Sequence, residues 1–155
     1  CVSGFRFEDV ERSRPAPGVV EALSQADLVI ICPSNPWVSV DPILAVQGIR
    51  KTIEERRLKD DIPVVAVSPI LGGKTVKGPA AKMYAEMGIM PSALAVARHY
   101  GTLLSGFVMD NVDADASPAV RSLGLKTLVT DTVMKGRAGR ARLAQEILAW
   151  LGPAL

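Results

Sequence analysis

Ala26-Asp27-Leu28-Val29-Ile30-Ile31-Cys32-Pro33-Ser34-Asn35-Pro36 carries the most informative pattern in the chain. From Leu28 to Cys32 the side chains are apolar without interruption, mostly β-branched, and the run stops abruptly at Pro33. A strand with one wet face alternates, whereas an unbroken apolar strand is buried on both faces, as in a parallel sheet. A second such run, Ile62-Pro63-Val64-Val65-Ala66-Val67, lies further along. Between the two, Asp41-Pro42 is a helix-start signature, because Asp caps well and Pro suits the first helical position. Ile43, Leu44, Val46, Ile49 and Ile53 then recur at helical spacing, with Arg50, Lys51, Glu54, Glu55, Arg56 and Arg57 on the wet face. Gly48 argues against one unbroken helix.

The same alternation continues outward. Pro79 opens a helix that closes near Gly88, and Pro91-Ser92 starts another through Ala97. Gly106-Phe107-Val108-Met109 and Lys126-Thr127-Leu128-Val129 read as further strands. A closing helix over 138–151 buries Leu143, Ile147, Leu148 and Leu151. Towards the start, residues 4–10 alternate like a strand, with Phe5 and Phe7 on one face. Strands alternating with helices predict an α/β fold: an open, mostly parallel sheet with helices on both faces, Rossmann-like, with its strand order left open.

With 155 residues, 48% of them hydrophobic and 22% charged, the chain suits one unit over 1–155 rather than a disordered polymer. Lys plus Arg number 18 against 16 for Asp plus Glu, a net charge of +2. Dedicated nucleic-acid or membrane-surface binding calls for a far larger basic excess. Two cysteines, Cys1 and Cys32, make no disulfide framework, and no apolar stretch has transmembrane length. A cytoplasmic setting is expected. The abrupt start at Cys1 suggests the C-terminal half of a longer polypeptide, with part of the functional machinery outside it.

In open α/β sheets, ligands gather at the carboxyl ends of the strands. Two segments fall there. In 32–42, Ser34, Asn35 and Ser39 offer hydroxyl and amide groups to phosphate or sugar-alcohol oxygens, stiffened by Pro33 and Pro36. The same composition suits an ordinary turn. In 68–79, Gly72, Gly73, Lys74 and Lys77 precede a helix whose cap, Gly78, has no side-chain acceptor, and Lys82 adds a further cation. An anion held by glycine-rich backbone and lysines resolves these features; solvation by water is the plainer reading. Gly72-Gly73-Lys74-Thr75 is no P-loop, since Ser68 stands where the first glycine belongs. Asp113-Ala114-Asp115 starts like a calcium loop but has Pro118 at position six and Gly124 at position twelve.

His99, the sole histidine, reads as a structural hydrogen-bonding group rather than a general base, and Asp41 as a helix cap. Arg98 suits a carboxylate or a phosphate. Among Asp110, Asp113, Asp115 and Asp131, the last follows a strand end and is the best placed for a divalent ion. Trp37 and Tyr100 offer stacking faces or plain packing. Ile70 and Leu71 are candidates for an exposed interface.

Taken together, Pro33-Ser34-Asn35-Pro36-Trp37-Val38-Ser39-Val40-Asp41-Pro42-Ile43-Leu44-Ala45-Val46, Ser68-Pro69-Ile70-Leu71-Gly72-Gly73-Lys74, Val76-Lys77-Gly78-Pro79-Ala80-Ala81-Lys82-Met83, Ala97-Arg98-His99-Tyr100-Gly101 and Thr130-Asp131-Thr132 resemble, in order, motifs of the 2-phospho-L-lactate transferase family. The resemblance implies transfer of a phospholactyl or phosphoenolpyruvyl group from a guanosine diphosphate conjugate to the deazaflavin Fo. GMP is released, Mg²⁺ is the implied cofactor, and the setting is coenzyme F-420 biosynthesis. It implies small-molecule substrates rather than nucleic acid or membrane, with a homo-oligomer possible. Ser34, Asn35, Ser39, Gly72, Gly73, Lys74, Lys77 and Arg98 are the expected substrate-binding residues. No residue is assigned as catalytic or as a metal ligand, and the fragment alone is expected to be inactive. The alternative is a gluconeogenesis-factor-like regulatory protein that binds a uridine diphosphate sugar without catalysis.

Overall fold

The computed structural model describes residues 1–152. Each unbroken apolar run forms a strand, and the strands are β1 (Val29–Ile31), β2 (Val64–Val67), β3 (Ile70–Leu71), β4 (Lys74–Thr75), β5 (Gly106–Asp110) and β6 (Lys126–Thr130). Four of them make a wholly parallel sheet in the order β1-β2-β5-β6, with Ile31 beside Ala66, Val65 beside Gly106, and Asp110 beside Thr130. The other two form a small antiparallel hairpin.

Helices α1 (Val19–Gln25), α2 (Asp41–Ala45), α3 (Ile49–Lys59), α4 (Ala80–Glu86), α5 (Ala93–Tyr100), α6 (Ser117–Arg121) and α7 (Gly136–Leu151) connect and cover the strands. The period-two geometry of a strand sorts its residues by face. Val64, Ala66, Phe107 and Met109 enter the larger core, together with Leu44, Ile53, Val96 and Leu103. Val65, Val67 and Val108 point the other way and meet Leu143 and Ile147 of α7. Helices therefore cover both faces, and the α/β expectation is met.

Several local expectations are corrected. Residues 4–9 form no strand; the Phe5 ring instead stacks on Trp37, with centroids 5.5 Å apart. The break signalled by Gly48 is present: α2 and α3 are separate helices, and Gly48 takes φ +90°, a conformation open to glycine at little cost. Pro79 caps α4 rather than opening it as the first helical residue. On α7, Leu143 and Ile147 are buried as expected, but Leu148 is 45% exposed and Leu151 only half-buried. Ile70 is fully buried rather than exposed, since it packs into the main core. Among the described residues no helix is long and apolar enough to cross a membrane.

Candidate functional site

The carboxyl ends of β1, β2 and β6 open onto a cavity of about 490 Å³. Segments 33–39, 68–80 and 132–134 wall it, the first two being those singled out from sequence. Local chemistry shapes the first wall. The Asn35 Oδ1 accepts hydrogen bonds from the N–H groups of Trp37 (3.0 Å) and Val38 (3.3 Å), opening a single π-helical turn, Pro36–Val40, whose first residue is a proline needing no donor partner. The Asn35 Nδ2 lies 3.1 Å from Met83 Sδ, which ties the turn to α4. Asn35 thus lines the cavity while its amide is occupied within the protein. Ser34 and Ser39 also line it, and their hydroxyls have no hydrogen-bond partner among the described residues.

The second wall is built by the hairpin. Gly72 and Gly73 have φ of +54° and +76°, the two left-handed positions required by a two-residue turn between antiparallel strands. Ser68, at the end of β2, is buried and closed on the hairpin: its Oγ donates to the Ile70 carbonyl (2.8 Å) and accepts from the Ile70 N–H (3.1 Å). Thr75 donates to the Gly78 carbonyl at 2.8 Å, holding the approach to α4. Lys77 lines the cavity, is exposed, and forms no ion pair among the described residues. Lys82, by contrast, pairs with Glu86 on α4 at 3.6 Å and does not line the cavity. Leu71, Val76, Val133 and Met134 add apolar surface.

The acidic groups of this end are structural fasteners. Asp110, only 6% exposed, accepts from the Thr132 N–H (2.8 Å), the Thr132 hydroxyl (3.0 Å) and the Val112 N–H (3.1 Å). Burial alone would raise its pKa, but these donors outweigh it and hold the carboxyl below the usual value. They also fix the 132–134 wall. Asp113 accepts from the Gly72 N–H at 3.1 Å and so anchors the hairpin. Its pKa is raised, first by burial and then by the Asp110 charge, against the pull of the Gly72 bond. Asp131 accepts from the Val133 N–H (2.9 Å) and pairs with Arg142 (3.3 Å). Among the described residues no group of three or more His, Cys, Asp or Glu side chains converges to hold a metal.

Behind the Asn35 turn, Asp41 does not cap a helix: it takes a hydrogen bond from His99 Nε2 at 2.9 Å. His99 thus makes a hydrogen bond within the fold, as expected of it. Trp37 packs edge-on against that imidazole (5.4 Å) and lies 4.1 Å from the Tyr84 ring, so it is a packing residue, as is the buried Tyr100. Burial, then the Asp41 charge, raises the Tyr84 phenol well above its ordinary pKa.

The expected substrate residues divide in space. Ser34, Asn35, Ser39 and Lys77 line the cavity. Gly72, Gly73 and Lys74 form the hairpin tip beside it but do not line it. Arg98 lies elsewhere, on a second cavity near the amino ends of β5 and β6.

Residues 2–138 match the family described as 2-phospho-L-lactate transferase CofD. The chain belongs to this family. It is 44% identical over 139 residues to the phosphoenolpyruvate transferase of Streptomyces coelicolor, covering 89% of this chain and 42% of that protein. It is 37% identical over 150 residues to the 2-phospho-L-lactate transferase of Methanopyrus kandleri, covering 95% of this chain and 45% of the relative. The 2-phospho-L-lactate transferase of Methanocaldococcus jannaschii is 34% identical, with 94% and 44% covered. This CofD family chain thus spans less than half the length of these relatives. The wall at 132–134 was not assigned from sequence, although Thr130-Asp131-Thr132 belongs to the resemblance; only the Asp110–Thr132 bonds reveal that it turns towards the cavity.

Proposed function

We propose that this chain forms one side of a transferase site that moves a phospholactyl or phosphoenolpyruvyl group from a guanosine diphosphate conjugate to a hydroxyl of the deazaflavin Fo, in coenzyme F-420 biosynthesis. A hydroxyl oxygen bonds to the phosphorus that carries the organic acid, the diphosphate bridge opens, GMP leaves, and the hydroxyl proton is lost. Such transfers depend on neutralising charge and on in-line positioning more than on a covalent nucleophile. The observation that supports the reading is one cavity combining a free cation, Lys77, with two hydroxyls lacking protein partners, Ser34 and Ser39, against an apolar wall of Val76, Val133 and Met134. Lys77 suits the diphosphate, the serines orient oxygens, and the apolar wall offers surface to the apolar part of a substrate.

Mg²⁺, implied by the resemblance, carries no step here. Asp110, Asp113 and Asp131 are engaged in hydrogen bonds and do not converge with a third ligand, so the described residues do not make its site.

The test uses the full-length protein with Fo, the guanylated donor and Mg²⁺, following product formation. Lys77→Ala is expected to weaken donor affinity about tenfold, the loss typical of one charge-assisted hydrogen bond. Lys74→Ala, outside the cavity, should change it much less. Absence of any deazaflavin product together with tight binding of a uridine diphosphate sugar would overturn the reading in favour of the regulatory alternative.

A further inference from the structure

Near the amino ends of β5 and β6, at the opposite end of the sheet from the main cavity, lies a second cavity of about 390 Å³. Its walls include Leu104, Leu123 and Leu125, and two arginines reach it: Arg57 from the last turn of α3 and Arg98 from the last turn of α5. No carboxylate lines it. Neither guanidinium makes an ion pair or a hydrogen bond with any described residue.

Two cations that line one cavity without a counter-charge disfavour each other. A helix C-terminus favours a basic residue, but on α3 Arg56 and Lys59 already meet that preference. Helix-end electrostatics therefore does not account for Arg57 lining the cavity. A planar oxyanion does, because the guanidinium fork matches the spacing of carboxylate and phosphate oxygens. The leucine walls beside it suit a short apolar body, and the volume is that of a small-molecule site.

We propose that this second cavity is a binding site for a small molecule bearing a carboxylate or phosphate on a short apolar body, separate from the transferase site. The full-length protein is titrated calorimetrically with butyrate and with inorganic phosphate, each in a Lys77→Ala background so that the main cavity contributes least. Saturable binding of at least one probe is expected, weakened about tenfold by Arg98→Gln and by Arg57→Gln. The probe that binds identifies the head group. Arg98 is exposed, so its variant folds irrespective of any effect at Arg57. Saturable binding of neither probe, or equal affinity in the Arg98→Gln and parent proteins, would overturn the proposal. Product formation by the Arg57→Gln enzyme is expected to match the parent's, which separates this site from the transferase reading.

Discussion

At Gly106 an added Cβ would stand 2.8 Å from the Trp150 ring and 3.1 Å from Val65, so this first position of β5 is glycine because α7 lies directly on it. Its backbone is ordinary; the constraint is space. Gly106→Ala is expected to destabilise the fold by about 1–3 kcal/mol, as overpacked core substitutions do, measured by urea unfolding. Asn35 presents the other kind of constraint. Its side chain caps the turn and faces the cavity at once. Asn35→Ala should therefore cost about 1 kcal/mol, the usual loss of a cap, besides any effect on turnover. Thermal unfolding of that variant indistinguishable from the parent would show that the amide is not needed to hold the turn.

The β3–β4 hairpin is an element that no single residue announces. A tight turn with both central residues at positive φ, a buried Ser68 hydroxyl under it and the Asp113 carboxylate on the Gly72 N–H together make it a rigid wall rather than a loose loop. Gly73→Ala forces a side chain into the left-handed region at a cost of about 1–2 kcal/mol. Because a Cβ there meets only the Pro91 carbonyl, at an ordinary 3.5 Å, the penalty is conformational and local. Amide hydrogen exchange should quicken within 70–75 while the amides of β2 and β5 keep their protection. Uniform loss of protection across the sheet would show the hairpin to be integral to global stability instead.

For the whole molecule, Asp110 and Asp113 couple stability to pH with opposite signs. The Asp110 carboxyl is held below its unfolded value, near pKa 3.9. Its contribution is full above that pH and is lost as pH falls through the folded pKa. The Asp113 pKa is raised, so its ionisation removes stability as pH rises through the folded value, and protonation restores it on the way down. Urea unfolding between pH 6 and pH 3 (both roughly spanning the carboxylate range) should show a smaller acid-induced loss in Asp110→Asn than in the parent, and a larger one in Asp113→Asn. Identical slopes in all three would remove both carboxylates from the account of acid stability.

The order of apolar runs and helix signals determined the α/β class, the parallel sheet and the two cavity-lining segments after β1 and β2. Burial of a strand on both faces leaves its mark on every residue of that strand, and a break such as Gly48 is equally local. Only the tertiary structure decided which candidates meet. Strand order placed the 132–134 segment at the cavity. It also turned Asp41 from a supposed cap into the partner of His99, 58 positions away. These outcomes depend on contacts between segments distant in the chain, and local periodicity holds no record of them.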